Sequence, residues 1–295
     1  MIIIVASTGH MISGADLITA TLRTDLVPVP VTLELVAAST PTLDKALVVG
    51  SELLVGELGI SITLVKAIPV KTQVIKDGRR IGGIACTGVL TSCKKLREPV
   101  NNAINLTDTT FGGAIRASGA TIAIADDLPL PRFVCLRGQT PSNQLAKYLQ
   151  QEAAVIAFRR GRLSILKVDS LLAAEPIAKY DPSAVAWINN PTVHAAKTPS
   201  FVSIGTDGST VEGENTTPGK PVLYMPGVDT RQLKNLEKVL ITRGIMLRPL
   251  DYKLQAGQVV QVGSKKLAIL TSANHVNTSV ASSSVMATKV WLVSL

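Results

Sequence analysis

Apolar and polar positions alternate with period two over much of the chain, and this sets the first expectation. In Val29-Pro-Val-Thr-Leu-Glu-Leu-Val36, Val31, Leu33 and Leu35 fall on one face while Thr32 and Glu34 fall on the other. That is the pattern of a strand with one buried side. Leu53–Glu57 and Ile60–Lys66, separated by Gly59, read the same way. In Lys71–Ile81 the pair Asp77-Gly78 fits a two-residue type I′ turn, because both positions tolerate positive φ. Ile84–Leu96 continues the meander, so residues 16–96 are expected to form a small barrel or sandwich of short strands. Residues 1–15 are small, broken by Gly9 and Gly14, and read as an N-terminal segment.

The period changes after residue 96. Glu98–Asn105 reads as a short helical turn, Phe111-Gly-Gly113 as flexible, and Ala114–Ala125 as either strand or helix. Asp126–Arg132 looks like a linker. Phe133–Lys167 carries the clearest local grammar. An apolar run, Phe133–Arg137, is broken by Gly138-Gln-Thr-Pro-Ser142, where Thr140 can cap a helix and Pro141 can start one. Leu145, Tyr148, Leu149 and Glu152 or Ala153 then share a stripe, while Gln144, Lys147 and Gln151 face water. The helix should end near Glu152. Ala154–Phe158 and Leu163–Lys167 follow, joined by Arg159-Arg-Gly-Arg162, with Gly161 free to take positive φ. The unit reads β-α-β-β.

Asp169–Asp181 reads as a connector and Ala184–Asn189 as a strand. The span 191–221 is rich in Gly, Pro and Thr; it reads as a loop with one hairpin, Phe201–Ile204 against Val211. Asp229 can cap a helix over 230–243, with Leu233, Leu236, Val239 and Leu240 on its apolar face and Gly244 as its stop. Strands are expected at Ile245–Leu250, Gln258–Val262, Lys266–Ser272 and Met286–Leu295, with Asn274-His275 at a loop end. The fold class is therefore β-rich α+β. Residues 16–96 form a first, barrel- or sandwich-like domain, 97–181 an α/β domain, and 182–295 a strand-rich domain with one helix.

Composition sharpens this picture. Only 17% of the 295 residues are charged and 3% aromatic, against 46% hydrophobic, and the mean hydropathy is +0.32. Such an aliphatic chain favours strands and points to surfaces that other chains cover. A membrane role is not indicated: Leu47–Val65, the most apolar stretch, holds Glu52, Glu57 and three glycines. The start, MIIIVASTGH, lacks the basic region and long apolar core of a signal peptide. The net charge of +9 sits in pairs (Arg79-Arg80, Lys94-Lys95, Arg159-Arg160, Lys265-Lys266) with only Phe158 beside one. That arrangement argues against nucleic acid and suits an acidic protein partner.

Catalytic equipment is not visible. Cys86, Cys93 and Cys135 have no metal-site spacing, and only His10, His194 and His275 could complement them, so buried free thiols are expected. Asp126-Asp127 reads as a solvated turn, and Gly205–Ser209 lacks the lysine and helix of a phosphate loop. No catalytic residue, cofactor or metal is assigned.

Three parts, taken in order, resemble the phage tail baseplate hub family, relatives of the hub region of type VI secretion spikes. They are the meander around Val29–Leu96, the run from Gly138-Gln-Thr-Pro-Ser142 through Leu149-Gln-Gln-Glu152 to Leu163-Ser-Ile-Leu166, and Leu233 to Leu240 followed by Asp251-Tyr-Lys-Leu-Gln-Ala-Gly-Gln-Val-Val260. The resemblance implies a homotrimer whose two tail-tube-like barrels per subunit, here residues 16–96 and 182–295 with 97–181 inserted between them, present six units to a hexameric tail tube. The other end would receive a trimeric spike or tip, with other baseplate proteins around it. The implied place is the tail baseplate of a virion, made in the host cytoplasm. The implied role is structural; the alternative is a tail-associated cell-wall hydrolase.

Overall fold

The computed structural model describes residues 1–76, 79–188, 199–205, 207–213, 221–278 and 285–295. Its largest element is an open, 12-stranded sheet. The strands run in the spatial order β1 (Ile3–Val5), β4 (Glu52–Val55), β5 (Ile60–Lys76), β6 (Arg79–Leu90), β3 (Val31–Ala38), β2 (Leu17–Asp25), β19 (Lys265–Asn277), β20 (Val285–Ser294), β17 (Ile241–Pro249) and β13 (Val185–Trp187). From β19 the sheet branches to β18 (Val259–Val262) and then β12 (Lys179–Tyr180). Every pairing is antiparallel except β12 with β18.

The alternation chose the buried face correctly. Val31 and Leu33 are fully buried and Leu35 nearly so. A one-residue slip of β3 against β6 would turn all three to solvent, so the hydrophobic pattern fixes the register. β5 and β6 pair as expected of a hairpin, while the turn residues Asp77 and Gly78 lie outside the described residues.

A second layer packs beside the first half of this sheet. β7 (Ile104–Thr110) pairs with β9 (Pro129–Cys135). A separate three-stranded sheet joins β10 (Ala154–Arg159), β11 (Arg162–Lys167) and, parallel to β11, β8 (Ile124–Asp126). The expected β-α-β-β order is present, but its first strand pairs with β7 rather than with the hairpin. Helices α2 (Phe111–Ala117) and α3 (Pro141–Gln151) cover these strands. Phe111, Ile115, Phe133, Leu145 and Ile156 are fully buried in one core shared with Leu33 and Leu64 of the main sheet. The rings of Phe133 and Tyr148 meet at 5.6 Å.

Further elements are α1 (Pro41–Ala46), α4 (Val168–Ala173) and α5 (Thr230–Leu236). The last packs Leu233 onto a small sheet ordered β15 (Thr210–Glu212), β14 (Ser200–Ile204) and β16 (Val222–Tyr224). The β14–β15 hairpin lies where the sequence placed it. Among the described residues, no helix is long and apolar enough to cross a membrane.

Several local expectations are overturned, each for a physical reason. Ile3–Val5, in the segment of small residues, is an edge strand whose Ile3 and Val5 are fully buried. Residues 91–97 leave the sheet as a 3-10 helix; Cys93 and Leu96 then share one face at the three-residue period of that helix. Glu98–Asn105 is not helical. Val100 exchanges backbone bonds with Gln139 and Gly138, and the strand β7 then begins at Ile104. Phe111-Gly-Gly113 is ordered as the first turn of α2, where the Thr110 hydroxyl accepts from Gly113 N at 3.0 Å and Asp127 Oδ1 from Gly112 N at 2.9 Å. Residues 126–132 end one strand and begin the next, rather than linking.

The stripe on α3 held, with Leu145 and Leu149 buried, but Thr140 caps it with no side-chain bond and Gln151 is buried under α5 instead of facing water. The helix of the C-terminal region stops at Leu236, seven residues before the expected end. From Ile241 the ladder to β20 claims the chain, and Gly244 sits inside β17 rather than ending a helix. Tertiary pairing here outweighs a period of 3.6. Asn274-His275 likewise lies within β19.

Leu145 has no exposed surface, so Leu145→Ala should lower unfolding free energy by roughly 2–5 kcal/mol. Urea denaturation checks this against Lys147→Ala on the exposed side of the same helix, expected to change stability by less than about 0.5 kcal/mol.

Candidate functional site

Helix α3 ends in a carboxylate, which is the wrong charge for the negative end of a helix dipole. Glu152 sits there with its side chain only 5% exposed, so it needs cations. It has them. Arg231 of α5 grips it with two bonds, Nη1 to Oε2 at 2.6 Å and Nη2 to Oε1 at 2.8 Å. Lys167, at the end of β11, donates to Oε2 at 2.9 Å and to the Glu152 carbonyl at 2.7 Å. Gln232 Nε2 completes the set at 3.2 Å.

The α5 cap aims these groups. Asp229 Oδ1 accepts from Gln232 N at 2.7 Å, and Gln232 Oε1 accepts from Asp229 N at 3.3 Å, a reciprocal capping box. This orients Gln232 so that its amide nitrogen is free for Glu152. Asn235 adds a bond from Nδ2 to the Gln151 carbonyl at 3.0 Å. Helix α5 is thereby latched to the end of α3. Burial alone would raise the Glu152 pKa. The bonds from Arg231, Lys167 and Gln232 overcome it and hold the carboxyl at about 2.

At the other end of β10 the chain reverses through Arg160 (φ 48) and Gly161 (φ 78), both left-handed, as a type I′ turn requires. Arg159 donates through Nη2 to the Gly257 carbonyl. Gly257 has φ +86, and a Cβ there would come within 2.6 Å of the Ala157 Cβ, so only glycine lets the 256–257 turn approach β10. Clefts flank the hairpin tip. One of about 710 Å³ is lined by Asp126, Arg159, Arg160, Arg162, Glu175 and Gln258 among others. One of about 790 Å³ is lined by Leu58, Ile60, Thr91, Ile122, Phe158 and Arg160 among others.

The residues weighed for chemistry do not converge on either cleft. Cys86, Cys93 and Cys135 are free and buried, and burial pushes the Cys86 thiol up to about 11 and the Cys93 thiol up to about 12. His275 Nδ1 lies 2.9 Å from Thr21 Oγ1 in the main sheet, His10 is exposed near the N-terminus, and His194 lies outside the described residues. Asp127 caps α2, while its neighbour Asp126 lines the basic cleft of about 710 Å³. Among the described residues no group of three or more His, Cys, Asp and Glu could hold a metal ion. Glu152 and Arg231 were missed because they are 79 residues apart; the one local signal was an acid at a helix C-terminus.

No protein-family model matches this sequence, and no curated protein matches it. Solved structures do share the fold. The tail protein from Neisseria meningitidis MC58 matches over 99% of this chain and 95% of its own, with TM-score 0.66 and 11% identity. The 43 kDa tail protein of prophage MuSo2 from Shewanella oneidensis matches over 99% and 95%, with TM-score 0.64 and 10% identity. An Escherichia coli component of the type VI secretion system, described as structurally similar to T4 bacteriophage tail proteins gp27 and gp5, matches over 95% and 74%, with TM-score 0.51 and 7% identity. The chain thus has a fold of phage tail and type VI secretion proteins. The resemblance to the tail baseplate hub family, carried by its motifs, agrees with these neighbours.

The latch has a pH signature. The Glu152 pKa is lowered in the fold from 4.5, so its contribution is complete above about pH 4.5 and fades as pH falls toward 2. At neutral pH, Glu152→Gln should cost about 2–3 kcal/mol, allowing for solvent screening at the half-exposed Arg231. Denaturation midpoints of the two proteins should converge near pH 2; a gap that stays constant with pH would refute the latch.

Proposed function

We propose that this chain is a structural baseplate hub of a phage or phage-like tail, a ring-forming homotrimer that joins the hexameric tail tube to the trimeric spike or tip. The observation that carries this reading is the whole-length likeness to tail proteins, 99% of this chain against 95% of each of two of them. The sheet adds support. Of its 12 strands, β1 to β6 come from residues 1–96 and β13 and β17 to β20 from residues 182–295, while β12 comes from the end of the stretch between them. Three subunits with two such halves each supply six comparable units, which suits a sixfold tube on one side and a threefold spike on the other.

In this reading residues 16–96 and 182–295 are the two barrel-like, tube-facing modules, and residues 97–181 are the insert that braces them. The main sheet ends at β13, an edge that faces no further strand among the described residues, whereas the outer edge of β1 is already bonded by residues 10–12 through Val5 N to the His10 carbonyl and Ile12 N to the Ile3 carbonyl. Unpaired edges are templates for pairing with another chain. Exposed apolar side chains such as Trp187 on β13, and Val222, Leu223 and Tyr224 on β16, suit burial against neighbouring copies or the tube, spike and other baseplate proteins. The role is that of a scaffold in the virion rather than an enzyme.

Native mass spectrometry and multi-angle light scattering test the ring. The expected species has three times the 31.1 kDa chain mass. A single monomeric species at micromolar concentration would overturn the trimer.

A further inference from the structure

We propose that the Arg159–Arg162 hairpin tip and the two clefts beside it form one groove that binds an extended peptide segment of a partner protein, acidic at one end and apolar at the other. The two clefts share Arg160 and Gln255, so they adjoin at the tip. Each lies in the size range of ligand-binding clefts, about 300–1,000 Å³.

The tip is poorly explained by stability. Arg159 and Arg162 are direct cross-strand partners, and like charges in that position repel. Arg160 stands at φ 48, in a turn where Asn or Gly would be unstrained. Arg159 is anchored on the Gly257 carbonyl. Arg160 and Arg162 are exposed and have no hydrogen-bond or ion-pair partner for their side chains among the described residues. Two carboxylates line the same cleft. Glu175 is matched by Lys266 at 3.5 Å, which leaves Asp126 against three guanidinium groups. The cleft is therefore net basic, with two free planar forks of the geometry that grips carboxylates.

The second cleft has different chemistry. Leu58 is 76% exposed at the β4–β5 turn, beside Ile60, Leu90, Ile122 and Phe158, with the hydroxyl residues Thr91 and Ser92 between them. A free anion would leave this half empty. Single-stranded nucleic acid would want a row of stacking rings, and the half has one ring, Phe158, buried to 6% exposure. A peptide with carboxylates over the arginines and an aliphatic or aromatic side chain beside Leu58 uses both halves. This inference does not rest on the trimer, and its test reads binding rather than assembly.

The test measures fluorescence anisotropy of the full chain against an array of labelled dodecapeptides in four classes: acidic–apolar, acidic–polar, basic–apolar and neutral. The acidic–apolar class should bind best, and weaken with added salt. The double reversal R160E/R162E should weaken that class about tenfold or more, with circular dichroism and oligomeric mass unchanged. Leu58→Asp should reduce the acidic–apolar class to the level of the acidic–polar class. The proposal fails if no class binds, if binding ignores R160E/R162E, or if a single-stranded DNA 20-mer binds more tightly than every peptide with the same dependence on the arginines.

Discussion

The fold depends on the ladder between β2 and β19. It runs from Asp25 opposite Thr271 to Thr19 opposite Asn277 and welds the two ends of the chain into one sheet. Side chains reinforce it: Thr21 meets His275 at 2.9 Å across a sequence separation of 254, Thr271 donates to Asp25 Oδ1 at 2.5 Å, and Ala256 N donates to Thr24 Oγ1 at 3.1 Å. Beneath the seam, Leu26 shares a buried cluster with Val155 and Ala157 of the hairpin sheet and with Val259 and Val293 of the C-terminal strands. Loop-closure entropy grows only logarithmically with length, so so long a closure is thermodynamically tolerable. Kinetically it is demanding, because non-local strand pairing must wait for the segments between to compact.

The seam also shows how residues 97–181 are tied to both halves of the main sheet. Residues 97–181 lie between the two halves in sequence and touch both in space. Their upper core merges with the N-terminal strands, and the hairpin and α4 enter the seam cluster. The Glu152 latch then ties the far end of α3 to α5. A buried ion pair of this kind adds little net stability beside an apolar substitute, yet losing one partner strands the other charge. Its use is orientational: two forked bonds and a capped helix leave α5 one way to sit.

Legibility followed the range of the interaction. What one segment decides by itself could be read: the buried side of β3 from Val31, Leu33 and Leu35, the start of α3 from Pro141, the turn at Arg160-Gly161 and the cap at Asp229. What a distant segment decides could not. Residues 237–243 carry a helical stripe, but β20 claims them from Ile241. Gln151 reads as solvent-facing until α5 covers it. The continuity of the main sheet was hidden because the β2–β19 pairing has no local signal; alternation reports which face is buried, never which strand lies alongside. The candidate site suffered most, since every bond of the latch except those from Lys167 comes from a region some 80 residues on.

The same distinction accounts for a fold shared at 11% identity. Alternation, β-branched aliphatics and turn glycines are degenerate requirements, which many sequences meet while differing at most positions. Such features keep a backbone without keeping its contacts. Gly257 is of this conserving kind in physical terms, because a side chain there would collide with Ala157 and open the seam. The arginines of the hairpin tip are the opposite kind. Arg159 bonds the Gly257 carbonyl, but nothing in the packing requires the exposed Arg160 and Arg162, and the repulsion of Arg162 by Arg159 and the positive φ of Arg160 count against them. A chain that carries such a charged, strained tip beside two open clefts has a use for it outside its own core.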